Sequence, residues 1–405
     1  MQFVDGGVCA AKGFSANGIH CGMRRNVNKR DLALIKSDVP ASAAAVYTQS
    51  AVRGAPLELT RRHLLNGVAQ AIVCNSGNAN TCNQNGPAAA REVCAAAANA
   101  LGIAEDDVVV ASTGVIGKTF DSSPILNGMD SLAAGLSYTG GDAAAEAILT
   151  TDLAKKQVAV QFELSGKTCT LGGIAKGSGM VHPNMATILV FITSDVSISP
   201  QMLQRALSHD VRYTFNMTSV DGDTSTNDMA VVLANGLAGN ETIECEGEDF
   251  SIFMKALNTV TVALCRMIAG DGEGATKLLE CVVTGALSEY DAQAAAKSVV
   301  CSSLVKAAMF GCDANWGRVL CVVGYCGITA DMKRVDVRFS SKAGEVLLCK
   351  NGAAVNFDEE KALEILKQDE VDILVDLNMG LCDATAWGCD LSYDYVRISG
   401  GYRRQ

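Results

Sequence analysis

The stretch KGSGMVHPNMAT at residues 176–187 places a cation, a hydroxyl and two glycines directly ahead of the apolar run 188–192. Gly177 and Gly179 allow backbone angles closed to other residues, and Pro183 fixes its own φ. Thr187 falls at the first position of a predicted buried strand, where a loop delivers a reactive group to a rigid scaffold. With Lys176 upstream, its hydroxyl can act as a nucleophile; a strand-capping threonine fits the same residue types. Two further loops carry carboxylates. GDGEGATK at 270–277 sets Glu273 among glycines, which lets a ligand approach, although a helix C-cap with a solvated Glu fits as well. VDGDTSTND at 220–228 suggests a calcium loop. Thr226, however, stands where the sixth position needs glycine, and Val232 where a glutamate must close it. A polar turn packed near a site is the reading that remains.

Other chemistries fall away on spacing and charge. Residues 112–119 end in Gly117-Lys118-Thr119 like a phosphate loop, but Ser112 occupies the position that must be glycine. Gly177-Ser178-Gly179 fails as a dinucleotide fingerprint because His182 holds the third glycine position. The four histidines, His20, His63, His182 and His209, include no pair at i, i+3 or i, i+4. The sixteen cysteines are scattered without a C-x-x-C, so they are expected to be reduced, small, buried hydrophobes. No metal and no cofactor is expected. A formal net charge of −11 without basic runs argues against a nucleic-acid partner. Anionic small molecules would then need positive charge concentrated at the site, and Lys176 is its source.

These residues need elements to hold them. A chain of 405 residues, 49% hydrophobic and 19% charged, buries a large core in two or three domains. The longest apolar runs are too short to cross a membrane, no signal peptide is visible, and the cytoplasm is the default. Residues 31–48 predict two strands, or a strand and a short helix, about a turn at Asp38-Val39-Pro40. Strands follow at 71–74 and 108–111, with an Ala-rich helix at 88–100 between them. A helix at 142–149 precedes a hairpin, 158–164 with 168–174, that feeds straight into the Lys176 loop. Beyond the Thr187 strand come helices at 199–208 and 249–268. A separate unit then begins, with strands at 278–283, 335–339, 346–349 and 371–377 and helices at 291–305 and 358–368. The tail 384–398 reads as a final strand.

Seven blocks, in order from about residue 35 to the end, resemble those of the ornithine acetyltransferase (glutamate N-acetyltransferase) family. They are residues 37–40, 75–80, 112–117, 150–152, 176–189, 221–228 with 271–277, and 310–318 with 384–395. The resemblance implies an α/β fold: a layered, self-processing, N-terminal-nucleophile-like acyltransferase core with a smaller α/β C-terminal domain. It divides the chain into an alpha segment 1–186, a beta segment 187–277 completing the core, and a C-terminal domain 278–405. It implies self-cleavage between Ala186 and Thr187, after which the amino group of Thr187 serves as base for its own hydroxyl. Thr113 and Gly114 match the family's oxyanion hole. Thr150, Lys176, Thr187 and Glu273 match its substrate-binding positions. Acetyl-ornithine would acylate Thr187, and glutamate would collect the acetyl group, with acetyl-CoA a donor in some members and two copies of each fragment per particle. The chain departs from the family at Ser399, where Asn is usual, at Arg404, where Thr or Ser is usual, and at His182, where a small apolar residue is usual. An aminopeptidase or amidase on the same scaffold, and an inactive amino-acid-binding relative, are the competing readings.

Overall fold

The computed structural model describes residues 1–182 and 188–401. They form two compact units: Met1–Gly177 with Pro183–Phe215 and Thr224–Leu264, and Ser178–His182 with Asn216–Asp223 and Cys265–Gln405.

The first unit is built on one mixed sheet. Its strands are β1 (Gln2–Val4), β2 (Phe14–Ile19), β3 (Leu32–Tyr47), β4 (Val68–Asn75), β5 (Val108–Ser112), β6 (Lys156–Leu164), β7 (Lys167–Lys176), β8 (Leu189–Ser194) and β9 (Met229–Ala234). They run in the order β1-β6-β7-β8-β9-β3-β4-β5, with β2 beside β3. Only β4 with β5 and β8 with β9 pair in parallel. Helices α1 (Ala55–His63), α2 (Gly86–Leu101), α3 (Ser123–Ala134), α4 (Gly141–Ala147) and α5 (Pro200–Asp210) cover it. One core layer joins Phe14, Ile35, Leu57, Ile174, Phe191 and Met229. Another packs Val93 and Ala97 of α2 and Met129 and Leu132 of α3 against Leu34, Val73 and Val110. The sequence alternates side chains between these faces, as a sheet buried on both sides requires. Helix α6 (Glu248–Gly270) is long and apolar enough to cross a bilayer by composition. Phe253, Leu257, Val260 and Leu264 are nonetheless fully buried, so this face of α6 belongs to a core. Each such burial contributes roughly 1.5–3 kcal/mol.

The second unit has a smaller sheet, order β13-β12-β11-β14-β10-β15. Its strands are β10 (Leu278–Ala286), β11 (Asp336–Ser341), β12 (Gly344–Lys350), β13 (Ala353–Ala354), β14 (Glu370–Asp376) and β15 (Cys382–Cys389). Helices α7 (Glu289–Cys301), α8 (Ser303–Phe310), α9 (Trp316–Tyr325), α10 (Glu359–Leu366) and α11 (Tyr393–Ser399) accompany it. Helix α7 packs on β10 and β15. The chain is thus mixed α/β, with helices layered on sheets, as the sequence implied.

Four expectations are corrected. Residues 31–48 make one strand, not two elements: β3 pairs with β4 at Lys36↔Ala71 and again at Ala41↔Ala69, and the intervening residues form a bulge. Pro40 sits in that bulge, where its missing N–H interrupts no ladder bond. The helix expected at 291–305 is two, because Ser302 turns extended (φ −71°, ψ 115°) and accepts a hydrogen bond from Val305 N–H. Such a cap contributes about 1 kcal/mol to the second helix. The tail is strand β15 followed by helix α11, whose start Ser392 caps by accepting from Asp394 N–H. All sixteen cysteines are free, but Cys82, Cys245 and Cys321 are exposed, so uniform burial was too broad an expectation.

Candidate active site

In the first unit Thr113 and Gly114 directly follow β5, Lys176 ends β7, and Thr150 lies in the connection between α4 and β6. Strands β4 and β5 stop side by side at Asn75 and Ser112. Ser112 Oγ donates to Asn75 Oδ1 at 2.6 Å, and Asn75 Nδ2 donates to Asn78 O at 3.0 Å, which ties the two following loops together. Asn227 braces the same loops, its Nδ2 donating to Ser112 O at 3.0 Å and to Ala79 O. On this frame Thr113 N–H donates to Asn75 O at 3.0 Å. Gly114 has φ 133°, and a Cβ there would overlap the Gly77–Asn78 peptide, so only glycine fits. Among the described residues neither Thr113 Oγ1 nor Gly114 N–H has a partner. Two adjacent donors on a braced backbone are what developing negative charge on an oxygen requires.

Thr150 and Lys176 are brought together by a residue that spacing did not single out. Asp152 is 6% exposed. Its Oδ2 accepts from Thr150 N–H at 2.9 Å and faces Thr150 Oγ1 at 3.4 Å. Its Oδ1 accepts from Lys156 Nζ at 2.7 Å and from Gly177 N–H, next to Lys176, at 2.8 Å. Burial alone would push this carboxyl up, but the charges of Lys156 and Lys176 and these hydrogen bonds hold it well below the usual carboxylate range. It is therefore a buried anion with one direct cation and one nearby. Lys176, the last residue of β7, is 8% exposed and has no ion-pair partner within 4.0 Å among the described residues. A buried ammonium so placed suits a substrate carboxylate.

In the second unit, Glu273 is buried beside the glycine loop. Its N–H donates to Ser178 O at 2.7 Å, and Ser178 Oγ donates to Asp271 O at 2.7 Å. A Cβ on Gly179 would lie 2.5 Å from the Glu273 carboxyl carbon, so that glycine is a close-approach residue. Asp221, from the failed calcium motif, accepts the N–H groups of Met180 at 2.6 Å and Val181 at 3.0 Å, and Tyr395 Oη at 3.3 Å. His182 Nδ1 meets Ser219 Oγ at 3.1 Å and Cys301 Sγ at 3.4 Å. Burial and then the Lys297 charge push the imidazole down to about 4, against an opposing pull from Asp221. Ser399 is exposed at the end of α11. Ala186, Thr187 and Arg404 lie outside the described residues.

Asp152 and Asp228 are the residues that sequence reasoning passed over. Both stand inside blocks already noted, but only burial distinguishes them from solvated acids.

Fold and site together define a layered α/β protein with an acid-anchored buried lysine and an unengaged pair of hydrogen-bond donors. The ArgJ family model matches residues 15–404, and the chain belongs to that family. This bears out the resemblance to ornithine acetyltransferases drawn from the motifs. The chain is similar to the arginine biosynthesis bifunctional protein ArgJ of Caldanaerobacter subterraneus subsp. tengcongensis, 49% identical over 404 residues and 100% of both chains. It is likewise 49% identical, over 405 residues and 100% of both chains, to that of Symbiobacterium thermophilum. A crystal structure of the Bacillus halodurans ArgJ protein is 46% identical, with a TM-score of 0.49 over 52% of this chain and 98% of that one. The ornithine acetyltransferase of Mycobacterium tuberculosis, solved with ornithine, is 35% identical, with a TM-score of 0.43 over 46% of this chain and 99% of that one.

Proposed function

We propose that the protein is an acyltransferase of arginine biosynthesis that moves the acetyl group of N2-acetyl-L-ornithine to L-glutamate through an acetyl-Thr187 enzyme. The chain first cuts itself: the Thr187 hydroxyl attacks the Ala186 carbonyl, an N→O acyl shift makes an ester, and water hydrolyses it. Residue 187 then begins a new chain with an amino group of reference pKa about 7.7–8.0, able to take its own hydroxyl proton near neutral pH. The hydroxyl attacks the acetyl carbonyl of acetyl-ornithine, ornithine leaves with the proton, and the glutamate amine takes the acetyl from the ester. Thr113 Oγ1 and Gly114 N–H hold the oxyanion of both steps, Lys176 receives a substrate carboxylate with Thr150 beside it, and Glu273 receives an ammonium.

The observation that carries this reading is the unengaged donor pair at Thr113 and Gly114 in a chain of the ArgJ family. The relatives are called bifunctional, which supports acetyl-CoA as a second donor. We also infer a cytoplasmic enzyme assembled from two copies of each fragment.

A denaturing gel with intact-mass measurement tests the proposal. Wild type is expected as fragments 1–186 and 187–405, and Thr187→Ala as one whole chain. Acetyl-ornithine should leave an acetyl adduct on the second fragment that glutamate removes as N-acetylglutamate. A single intact band in wild type, or acetate release that glutamate does not divert, overturns it, the latter in favour of an amidase.

A further inference from the structure

A cleft of about 450 Å³ opens in the first unit, and none of the residues lining it is a candidate site residue. Ser15 of β2 and Lys36 of β3 line it, opposite one another in the antiparallel ladder. Helices α2 and α3 contribute Leu101 and Asp130, the bulge of β3 contributes Asp38, and the connection after α3 contributes Leu136 and Tyr138. That connection is pinned beside Ser15, since Ala16 N–H donates to Ser137 O at 2.9 Å and Ser137 N–H donates to Ala16 O at 3.1 Å. Asp38 N–H donates to Gly13 O at 2.9 Å, so Asp38 and Tyr138 are both anchored at the start of β2. Lys36 pairs with Ala71, four residues before Asn75 on β4. The cleft therefore lies about 13 Å along the sheet from the frame that holds Thr113 and Gly114.

Charges of both signs stand in this cleft without neutralising one another. Lys36 is half-buried and has no ion-pair partner within 4.0 Å among the described residues. Ser15 is 7% exposed, and its hydroxyl has no hydrogen-bond partner among them either. Asp130 is likewise unpaired there. Asp38 accepts from Tyr138 Oη at 2.9 Å through Oδ2, which leaves its Oδ1 without a partner among the described residues.

A buried hydroxyl without a partner calls for one from outside the chain, and an ammonium across the ladder from it favours an anionic acceptor such as a carboxylate. The two aspartates call for cations. A metal ion is a poor fit, because Lys36 shares the cleft and no group of three or more metal-ligating side chains occurs among the described residues. Two carboxylates against one ammonium match a ligand with two cationic groups and one carboxylate, and Leu101 and Leu136 offer its methylenes an apolar wall. We propose that this cleft binds a free dibasic amino acid, its carboxylate on Lys36 and Ser15 and its two cationic groups on Asp38 and Asp130, apart from the acetyl-transfer site.

The test is calorimetry on the full chain with L-arginine as the probe. Wild type should bind it, and Lys36→Met and Asp130→Asn should each weaken binding about 10- to 100-fold. Lys176→Met should leave binding unchanged, and Lys36→Met should keep the kcat and KM of wild type when arginine is absent. Agmatine, which lacks the carboxylate, and norleucine, which lacks the side-chain cation, should each bind at least about 10-fold more weakly than arginine. No binding to wild type overturns the proposal, as does equal binding by Lys36→Met and Asp130→Asn or by agmatine. Binding lost in Lys176→Met but kept in Lys36→Met places the ligand in the reaction site and overturns it too. Wild type that fails to transfer acetyl groups yet binds arginine through Lys36 and Asp130 sinks the transferase reading alone. If a variant does not fold, a crystal structure of wild type grown with L-arginine decides. A ligand carboxylate oxygen is expected about 2.7–3.2 Å from Lys36 Nζ, and an empty cleft overturns the assignment.

Discussion

Asp152 and Lys156 form an ion pair of 2.7 Å whose side chains are 0% and 1% exposed. The same carboxylate fixes the backbone at Thr150 and Gly177, so a buried charge pair at the start of β6 sets the positions on either side of the proposed substrate. Lys156→Met leaves that anion with only Lys176 nearby and should cost about 3–5 kcal/mol in denaturant unfolding. Because the folded carboxyl lies below its unfolded value, its contribution is complete above roughly pH 4 and is lost as acid drives the group toward the folded value. The melting-temperature gap between wild type and Asp152→Asn should therefore narrow on acidification below that point.

Thr113→Val removes one of the two unengaged donors without changing the shape of the loop. The expected result is a kcat lowered about 100- to 1,000-fold with KM nearly unchanged, since the bond forms to an oxyanion and not to the bound substrate. A rise in KM alone would move Thr113 from the reaction to ground-state binding.

Gly179→Ala places a methyl group 2.5 Å from the Glu273 carboxyl carbon. The carboxylate must shift, so kcat/KM should fall while the melting temperature stays close to wild type. An equal loss from Glu273→Gln, with no further loss in the double variant, would show that both act through the same group.

His182 is held neutral, its folded pKa of about 4 lying below the ordinary histidine value of 6.5. The unfolded chain therefore binds a proton between these values that the folded chain refuses, and stability falls as pH drops through that window. In His182→Ala the melting temperature should depend less on pH between 6.5 and 4. A slope identical to wild type would mean that Ser219, Cys301 and Lys297 do not confine the ring as described.

Periodic, local features were legible from sequence. The hairpin of β6 and β7 and the Ala-rich α2 each carry their own pattern and their own turn or cap, Gly102 closing α2 in the left-handed region at φ 66°. Pro40 misled because a bulge, invisible in the pattern, removes the need for its N–H. The break at Ser302 was hidden by the apolar spacing continuing through it. The candidate site residues Thr113, Gly114, Thr150, Lys176 and Glu273 come from family motifs. Asp152 and Asp228 do not, because only burial separates them from solvated acids, and burial is set by the packing of the whole sheet even where, as at Asp152, the paired lysine is four residues away.

The strands on either side of residue 187 are neighbours, β7 and β8 pairing from Leu171↔Ser194 to Lys176↔Leu189. A nick in the connection between them therefore breaks one covalent link and none of the rungs. Severed halves should stay bound through purification without any disulfide and part only under denaturant. Expressed separately, each should be insoluble, since the first would carry seven strands of the sheet with β7 and β3 bare and the second only β8 and β9 of it.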